Sequence, residues 1–263
     1  MAAAALTVAG CSLIGPLATP SETFRDFTVG EFGGIDGRQN ILHVRADGVA
    51  LLVSRVPAAG RLSDQKLGRL QTLLTSDQFR QEVIREAQWK STAPAPVCSD
   101  QITTVVTMGS LSMSRTEPCG EESEPTPAFD EIINVIAPAL RGRFDGPVDT
   151  AEPRLLPLRL EHIELPDQPG YTIRVDATGR AMMNVPGGRS SDKELTIPQR
   201  GTLRLLIARV IEKPVAPCTA PARYRLHVVT NPAISGPDCG FPDRQPEFHA
   251  LTTLLETAFS VKR

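Results

Sequence analysis

The chain has 263 residues, 41% of them apolar, which is enough to bury one substantial core or two modest ones. Its formal net charge is −2, and its lysines and arginines are scattered singly along the sequence. This pattern argues against a nucleic-acid surface and against a polybasic membrane patch. Beyond the N-terminus, no apolar run approaches the ~20 residues that a membrane-spanning helix needs.

The first eleven residues resemble the end of a bacterial lipoprotein signal peptide. They are small and apolar and close with the lipobox-like segment LTVAGC at residues 6–11. We therefore expect residues 1–11 to be a signal-peptide remnant whose Cys11 thiol carries the lipid. The positively charged start of such a peptide is missing, which we attribute to a start codon placed too far downstream. The alternative is a buried N-terminal strand that ends in an unpaired cysteine.

A lipid on Cys11 implies a protein that is exported and anchored to the outer face of the cytoplasmic membrane. Residues 12–23 would form a tether between this anchor and a soluble body. Membrane contact would then depend on the lipid alone, and we expect the body to be a monomer.

The body opens with three strand-like segments, at residues 24–32, 41–46 and 49–54. Asp47-Gly48 lies between the last two and predicts a tight hairpin. A helix with Leu70 on its inner face follows, and Ser63 is its predicted N-cap. The next stretch predicts a longer or second helix whose inward-facing residues are Phe79, Val83 and Ala87.

The four cysteines other than Cys11 form two pairs, Cys98/Cys119 and Cys218/Cys239, and both pairs are spaced 21 residues apart. In the first half, strands at residues 101–108 and 111–115 predict a hairpin that turns at the Met108/Gly109 boundary and brings its ends together. We expect one disulfide in each half, because disulfides persist outside the cytoplasm. Zinc fits less well, since no Cys-x-x-Cys and no suitably spaced histidine is present. No metal or other cofactor is expected.

The second half repeats this pattern. Five residues of the last predicted helix, Phe129, Ile132, Ile133, Ile136 and Leu140, map at one constant offset onto Phe248, Leu251, Thr252, Leu255 and Phe259. Thr196-Ile197-Pro198-Gln199 predicts a capping box for an earlier helix, and Thr178-Gly179 predicts a hairpin. In the second cysteine hairpin the turn is off centre, so a bulge or an asymmetric loop is expected there.

The predicted fold class is therefore α+β, with two tandem homologous domains. Each is a small antiparallel sheet packed by about two helices in the order β-β-β-α-β-β-α, with one disulfide per domain. Repeat domain 1 covers residues 24–140, a polar linker covers residues 141–153, and repeat domain 2 covers residues 154–263. Whether the repeats pack together or swing independently stays open at this point.

The sequence contains no recognisable catalytic or metal-binding constellation. We expect His43, His227 and His249 on exposed faces and His162 partly buried beside Leu158 and Leu160. Ser110 lies in a presumed hairpin turn and lacks the second glycine of a nucleophile elbow. The acidic residues 121–124 lack the alternating ligands of a calcium loop, so a solvated surface is expected.

The order of elements in repeat 1 resembles that of emfourin-like proteins, which are small bacterial inhibitors of thermolysin-type metalloproteases. The resemblance covers the Asp47-Gly48 hairpin, the helix of Leu67, Leu70 and Leu74, Phe79, the strand at residues 101–108, a terminal helix from Pro127, and a glycine segment. It implies a binding loop at Phe32, Gly33, Gly34, Ile35, Asp36 and Gly37. Repeat 2 has only residues 167–170, DQPG, at the matching place.

Tandem duplication, disulfides and lipidation are departures from that family, and the Ala/Arg/Pro-rich composition resembles that of actinobacterial secreted lipoproteins. We expect a non-enzymatic binding module at the cell surface that inhibits a secreted metalloprotease. The alternatives are a carrier that binds a small molecule or a cell-wall polymer in a pocket between the repeats, lined by Trp89 and Tyr171, and an unrecognised hydrolase with clustered titratable groups.

Overall fold

In a computed structural model, the described residues are 23–34, 37–90, 100–116, 125–148, 155–163, 169–188, 190–212, 222–228, 234–237 and 246–261. These residues form an α+β fold with two antiparallel sheets and five α-helices. The first half contains β1 (Phe27–Gly33), β2 (Arg38–Val44), β3 (Val49–Val53), β4 (Ala58–Arg61), α1 (Asp64–Leu74), α2 (Asp77–Lys90), β5 (Ile102–Met108), β6 (Leu111–Thr116) and α3 (Pro127–Ile136). The second contains β7 (Leu158–His162), β8 (Tyr171–Val175), β9 (Arg180–Asn184), β10 (Ser191–Glu194), α4 (Ile197–Glu212), β11 (Ala222–Val228), β12 (Ile234–Pro237) and α5 (Pro246–Ala258).

Each sheet has one strand more than the sequence analysis predicted. The first sheet has the order β4-β3-β2-β1-β5-β6 and the second the order β10-β9-β8-β7-β11-β12. The strands that were missed are the edge strands β4 and β10, whose sequences are AAGR and SDKE. Neither alternates apolar and polar residues, so the pattern that identifies a half-buried strand is absent from both.

The predicted turns and caps are confirmed. Gly48, between β2 and β3, has φ +85°, and Gly179, between β8 and β9, has φ +91°. The Ser63 side chain accepts a hydrogen bond from the Lys66 N–H at the start of α1. At the start of α4, the Gln199 side chain accepts from the Thr196 N–H at 2.9 Å, which completes the capping box.

One core lies between the first sheet and helices α1, α2 and α3. It includes Leu42, Leu70, Phe79 and Ile132, all with 0% exposure. The predicted second helix is present as α2, and Phe79 and Val83 face the core as expected. Ala87, predicted to face inward, is exposed, and the buried residues of α2 are Phe79 and Glu82.

Glu82 was missed by the sequence analysis, and it is 1% exposed. Its two carboxylate oxygens accept hydrogen bonds from the backbone N–H groups of Ala128 at 3.0 Å and Phe129 at 2.9 Å. These N–H groups belong to the first turn of α3, where no intrahelical acceptor exists. A carboxylate also interacts favourably with the positive end of the helix dipole. Glu82 therefore joins α2 to α3 from inside the protein.

A second core contains residues from both halves of the chain. Leu51 and Val53 of β3 pack in the same cluster as Leu206 of α4, Leu251 of α5 and Leu160 of β7. Side chains on opposite faces of β3 thus reach two different cores, and all five residues of this strand are buried. Helices α4 and α5 lie between the two sheets.

The described part of the predicted linker is packed against the first half. A Cβ at Gly60 would come within 2.3 Å of the Phe144 ring, so this aromatic side chain lies directly on β4. The Asp145 carboxylate accepts hydrogen bonds from the Ser63 N–H at 2.8 Å and the Lys66 ammonium at 2.6 Å. The hydrogen bond from Lys66 lowers the pKa of Asp145 most, and the bond from the Ser63 N–H lowers it further. Residues 143–146 therefore do not behave as a free tether.

We predict that Glu82→Ala destabilises the protein by about 3 kcal/mol, because it leaves two buried N–H groups without an acceptor. Equilibrium unfolding in urea measures this loss. Glu86→Gln, four residues later on the same helix and less buried, is the control and should cost less than about 1 kcal/mol. Equal losses from the two variants would contradict the capping role of Glu82.

Candidate functional site

The glycine segment assigned to binding forms the turn between β1 and β2. Phe32 is still within β1, opposite Gln39 of β2 and Thr103 of β5. Gly33, Gly34 and Gly37 have φ values of +100°, +75° and +57°, and the Gly34 N–H donates to the Gln101 carbonyl at 3.0 Å. Ile35 and Asp36 lie outside the described residues. The segment is thus a tight turn at one end of the first sheet, tied to the loop before β5.

All five cysteines lie outside the described residues, so the lipid on Cys11 and the disulfides Cys98–Cys119 and Cys218–Cys239 stay predictions. The hairpins that flank them are partly described. Met108 of β5 pairs with Leu111 of β6, so the turn is Gly109–Ser110, one residue later than predicted. In the second hairpin, the register shifts between Ala222 and Tyr224, which is the irregularity expected there.

Two predictions about the histidines are wrong. His43 was expected on a solvent face but is only 8% exposed, and His249 is half-buried rather than exposed. Both errors have the same cause. The α4/α5 layer covers the face of the first sheet that carries His43, and α5, the helix of His249, lies between two sheets and not on a surface. His162 is buried as expected, with 7% exposure, and His227 is half-exposed beside Glu161.

A cleft of about 430 Å³ lies at the border between the halves. One wall comes from Asp26 and the β2–β3 hairpin, and the other from one side of α4. Its lining residues are Asp26, His43, Arg45, Ala46, Asp47, Val49, Leu51, Leu205, Ala208, Arg209 and Glu212. The sequence analysis placed a pocket between the repeats but chose Trp89 and Tyr171 for its lining. Tyr171 does not line this cleft, and the Trp89 side chain lies outside the described residues.

His43 is the most buried polar group of the cleft. Its Nδ1 lies 3.2 Å from the Thr28 hydroxyl oxygen, and its Nε2 lies 3.4 Å from Oε1 of Glu247. The side chains of His43 and Glu247 are 9% and 6% exposed. Among the described residues, Nε2 of His43 has no hydrogen-bond partner. The His43 ring therefore lies between the Thr28 hydroxyl and the Glu247 carboxylate.

The rim of the cleft carries both signs of charge. Arg45 forms an ion pair with Asp47 at 2.9 Å, and Arg209 lies 3.7 Å from Glu212. The Asp26 carboxylate accepts a hydrogen bond from the Ala46 N–H at 2.8 Å. The apolar residues of the lining are Val49, Leu51, Leu205 and Ala208. This arrangement suits a small molecule that carries a cation and an anion near an apolar part.

A second polar cluster lies between the second sheet and α5. The Tyr171 and Tyr224 hydroxyls both donate to Oε1 of Glu256, the latter at 2.8 Å, and the His162 ring stacks on Tyr171 with 4.8 Å between ring centroids. Burial raises the pKa of Tyr171, and the hydrogen bond to Glu256 raises it further. The phenol therefore keeps its proton, and the cluster fastens α5 to the sheet. These tyrosines are the only two in the chain.

No protein-family model matches this sequence, and no curated protein matches it either. Within the described ranges, no helix has the length and apolar character needed to cross a membrane. A group of three or more His, Cys, Asp or Glu side chains suited to a metal ion is likewise absent from the described residues.

Proposed function

We propose that the chain is a non-enzymatic binding protein of the cell envelope and that its ligand occupies the cleft between the two halves. The observation that carries the proposal is the cleft itself, whose lining combines the buried His43 with arginines, carboxylates and apolar side chains from both halves. The volume of about 430 Å³ falls in the range of ~300–1,000 Å³ that is common for small-molecule sites. We infer a zwitterion of the size of an amino acid or a short peptide.

The chemistry of the lining favours binding over covalent catalysis. The described lining residues include no hydroxyl, thiol or amine that could act as a nucleophile. Three of the carboxylates near the cleft already accept hydrogen bonds or pair with an arginine, namely Asp26, Asp47 and Glu212. A general base needs a carboxylate or histidine held against a reacting group. These carboxylates are committed to neighbours, and the His43 ring lies between the Thr28 hydroxyl and the Glu247 carboxylate.

The position of the cleft agrees with a tandem duplication, which we also propose. The two sheets share one strand order, and in both halves a capped helix follows the fourth strand. In this view, repeat domain 1 (residues 24–140) and repeat domain 2 (residues 154–263) arose from one ancestor. Sites at the boundary of two domains are frequent positions for small ligands. A lipid on Cys11 would hold this pair of domains at the membrane surface.

We predict that a free amino acid or dipeptide raises the melting temperature of the protein and binds in calorimetry. Arg209→Ala and Arg45→Ala should each weaken that binding about tenfold, because each removes a charge-assisted hydrogen bond. Arg38→Ala is the matched control, since Arg38 lies at the other end of β2 and does not line the cleft. If neither amino acids nor dipeptides bind, or if Arg38→Ala weakens binding equally, the proposed site is wrong.

Inhibition of a thermolysin-type metalloprotease is a second candidate function, favoured by the geometry of the β1–β2 turn. Gly33, Gly34 and Gly37 have positive φ, and the bond from Gly34 to Gln101 holds the start of the turn against the loop before β5. Backbone that is already ordered loses little conformational entropy on binding, which favours tight inhibition. The second half has no matching glycine pair, so this proposal applies to the first half of the chain alone.

If the turn is inhibitory, titration of a thermolysin-type protease with the protein removes activity in proportion to the molar ratio. Gly33→Ala should abolish inhibition, because its Cβ would lie 2.3 Å from the Gln101 carbonyl oxygen at a φ of +100°. Gly68→Ala is the control, since a Cβ at this α1 position meets nothing within 4 Å. Full protease activity at micromolar concentrations of the protein would rule this candidate out.

A further inference from the structure

The outer face of the second sheet carries a row of basic side chains that crosses three neighbouring strands. Arg174 of β8 lies directly opposite Arg159 of β7, and Arg159 lies directly opposite His227 of β11. Arg225 of β11 projects from the same face, two residues before His227. Arg159, Arg174 and Arg225 are exposed, and the alternate residues of these strands point into the core. We call these four side chains the arginine row.

Among the residues that the structure describes, the arginine row has an excess of positive charge that the neighbouring carboxylates do not neutralise. Its one acidic neighbour within these three strands is Glu161, which pairs with Arg159 and lies 3.7 Å from Nε2 of His227. Glu161 also lies opposite Arg225 in the β7–β11 register. These three strands thus carry one carboxylate on this face beside the three arginines and the histidine of the row. The sequence analysis found no basic cluster because these residues are separated along the chain and only strand pairing assembles them.

Two arginines directly opposite each other on one sheet face repel, and this weakens strand pairing. Arg174 has Arg159 on one side and the uncharged Met182 on the other. The described structure gives it no ion pair to offset this repulsion. An anion bound between Arg159 and Arg174 would remove the repulsion and accept hydrogen bonds from both guanidinium groups. Guanidinium groups form bidentate hydrogen bonds with phosphate oxygens.

The surroundings of the arginine row favour a linear ligand. Neighbouring strands lie ~4.8 Å apart, so the row from Arg174 to His227 spans about 10 Å. Acidic residues border it on the far edge of the sheet, where Asp192 pairs with Arg180 and Glu194 lies opposite Arg180. A broad anionic bilayer would press its headgroups against these carboxylates as well, whereas a narrow chain can follow the row alone.

We propose that the arginine row is a docking surface for a linear polymer that carries phosphate groups. This surface is separate from the cleft, and neither proposal depends on the other. The phosphates would lie across β8, β7 and β11 and contact Arg174, Arg159 and Arg225. A protein held in the cell envelope would gain a second attachment from such contacts.

Calorimetry of the full chain with inorganic polyphosphate tests this proposal, since the natural polymer is not identified. Wild-type protein should bind it, and binding should weaken as salt rises. Arg174→Ala should weaken binding about tenfold, and the double variant Arg159→Ala/Arg174→Ala should weaken it further. The melting temperature of Arg174→Ala should be unchanged or higher, because the variant relieves the arginine repulsion. Arg55→Ala, an exposed arginine on the loop after β3, is the matched control and should bind as wild type does.

Two results would overturn the proposal. The first is an absence of polyphosphate binding at low salt, and the second is an equal loss of binding in Arg55→Ala. If polyphosphate does not bind while phosphatidylglycerol vesicles are captured in a way that depends on Arg174, the partner is a bilayer. Since Arg174 does not line the cleft, failure here would leave the amino-acid and dipeptide result unaffected.

Discussion

The burial of helices α4 and α5 between two sheets is the constraint on which the rest of the structure depends. Leu51 and Val53 of β3 share one core with Leu206 and Leu251 of these helices, so the second half completes its core with residues from the first. Helix α5 is buried nearly all round, and its Glu256 is satisfied by two tyrosine hydroxyls. A helix with this environment needs partners on both sides, because an exposed apolar face costs free energy in water. The two halves are therefore not independently packed domains joined by a free linker.

The cleft forms where this shared layer ends. Leu51 of β3 belongs to the shared apolar core, and Leu205 of α4 packs against it. Next to them, the β2–β3 hairpin and α4 line the cleft with Arg45, Asp47 and Arg209. His43 lies at the transition, where it is buried by the helix layer and also lines the cleft. The outer face of the second sheet has the opposite character, because the described chain leaves it uncovered and basic. One surface of the protein thus suits a small zwitterion and another suits a polyanion.

Local signals in the sequence predicted local structure well. Ser63, Gly48 and the Thr196–Gln199 capping box each specify a cap or a turn through contacts within a few residues, and all three are confirmed. Long-range consequences were not predictable. His43 alternates with core residues and looks solvent-facing, because a single strand pattern does not show that a helix from the other half covers it. The buried cap Glu82 and the arginine row depend on contacts between distant segments, and no pattern within one segment reveals such contacts. The edge strands β4 and β10 were missed because neither alternates apolar and polar residues.

The most direct test of this account is the cooperativity of unfolding. The chain has one tryptophan, Trp89 in the first half, and two tyrosines, Tyr171 and Tyr224 in the second, so tryptophan fluorescence and tyrosine absorbance report on different halves. Because the second core includes Leu51 and Val53, we predict that both signals change at one urea midpoint with one slope. Two separate midpoints would show that each half keeps its core without the other, and this would contradict the shared helix layer.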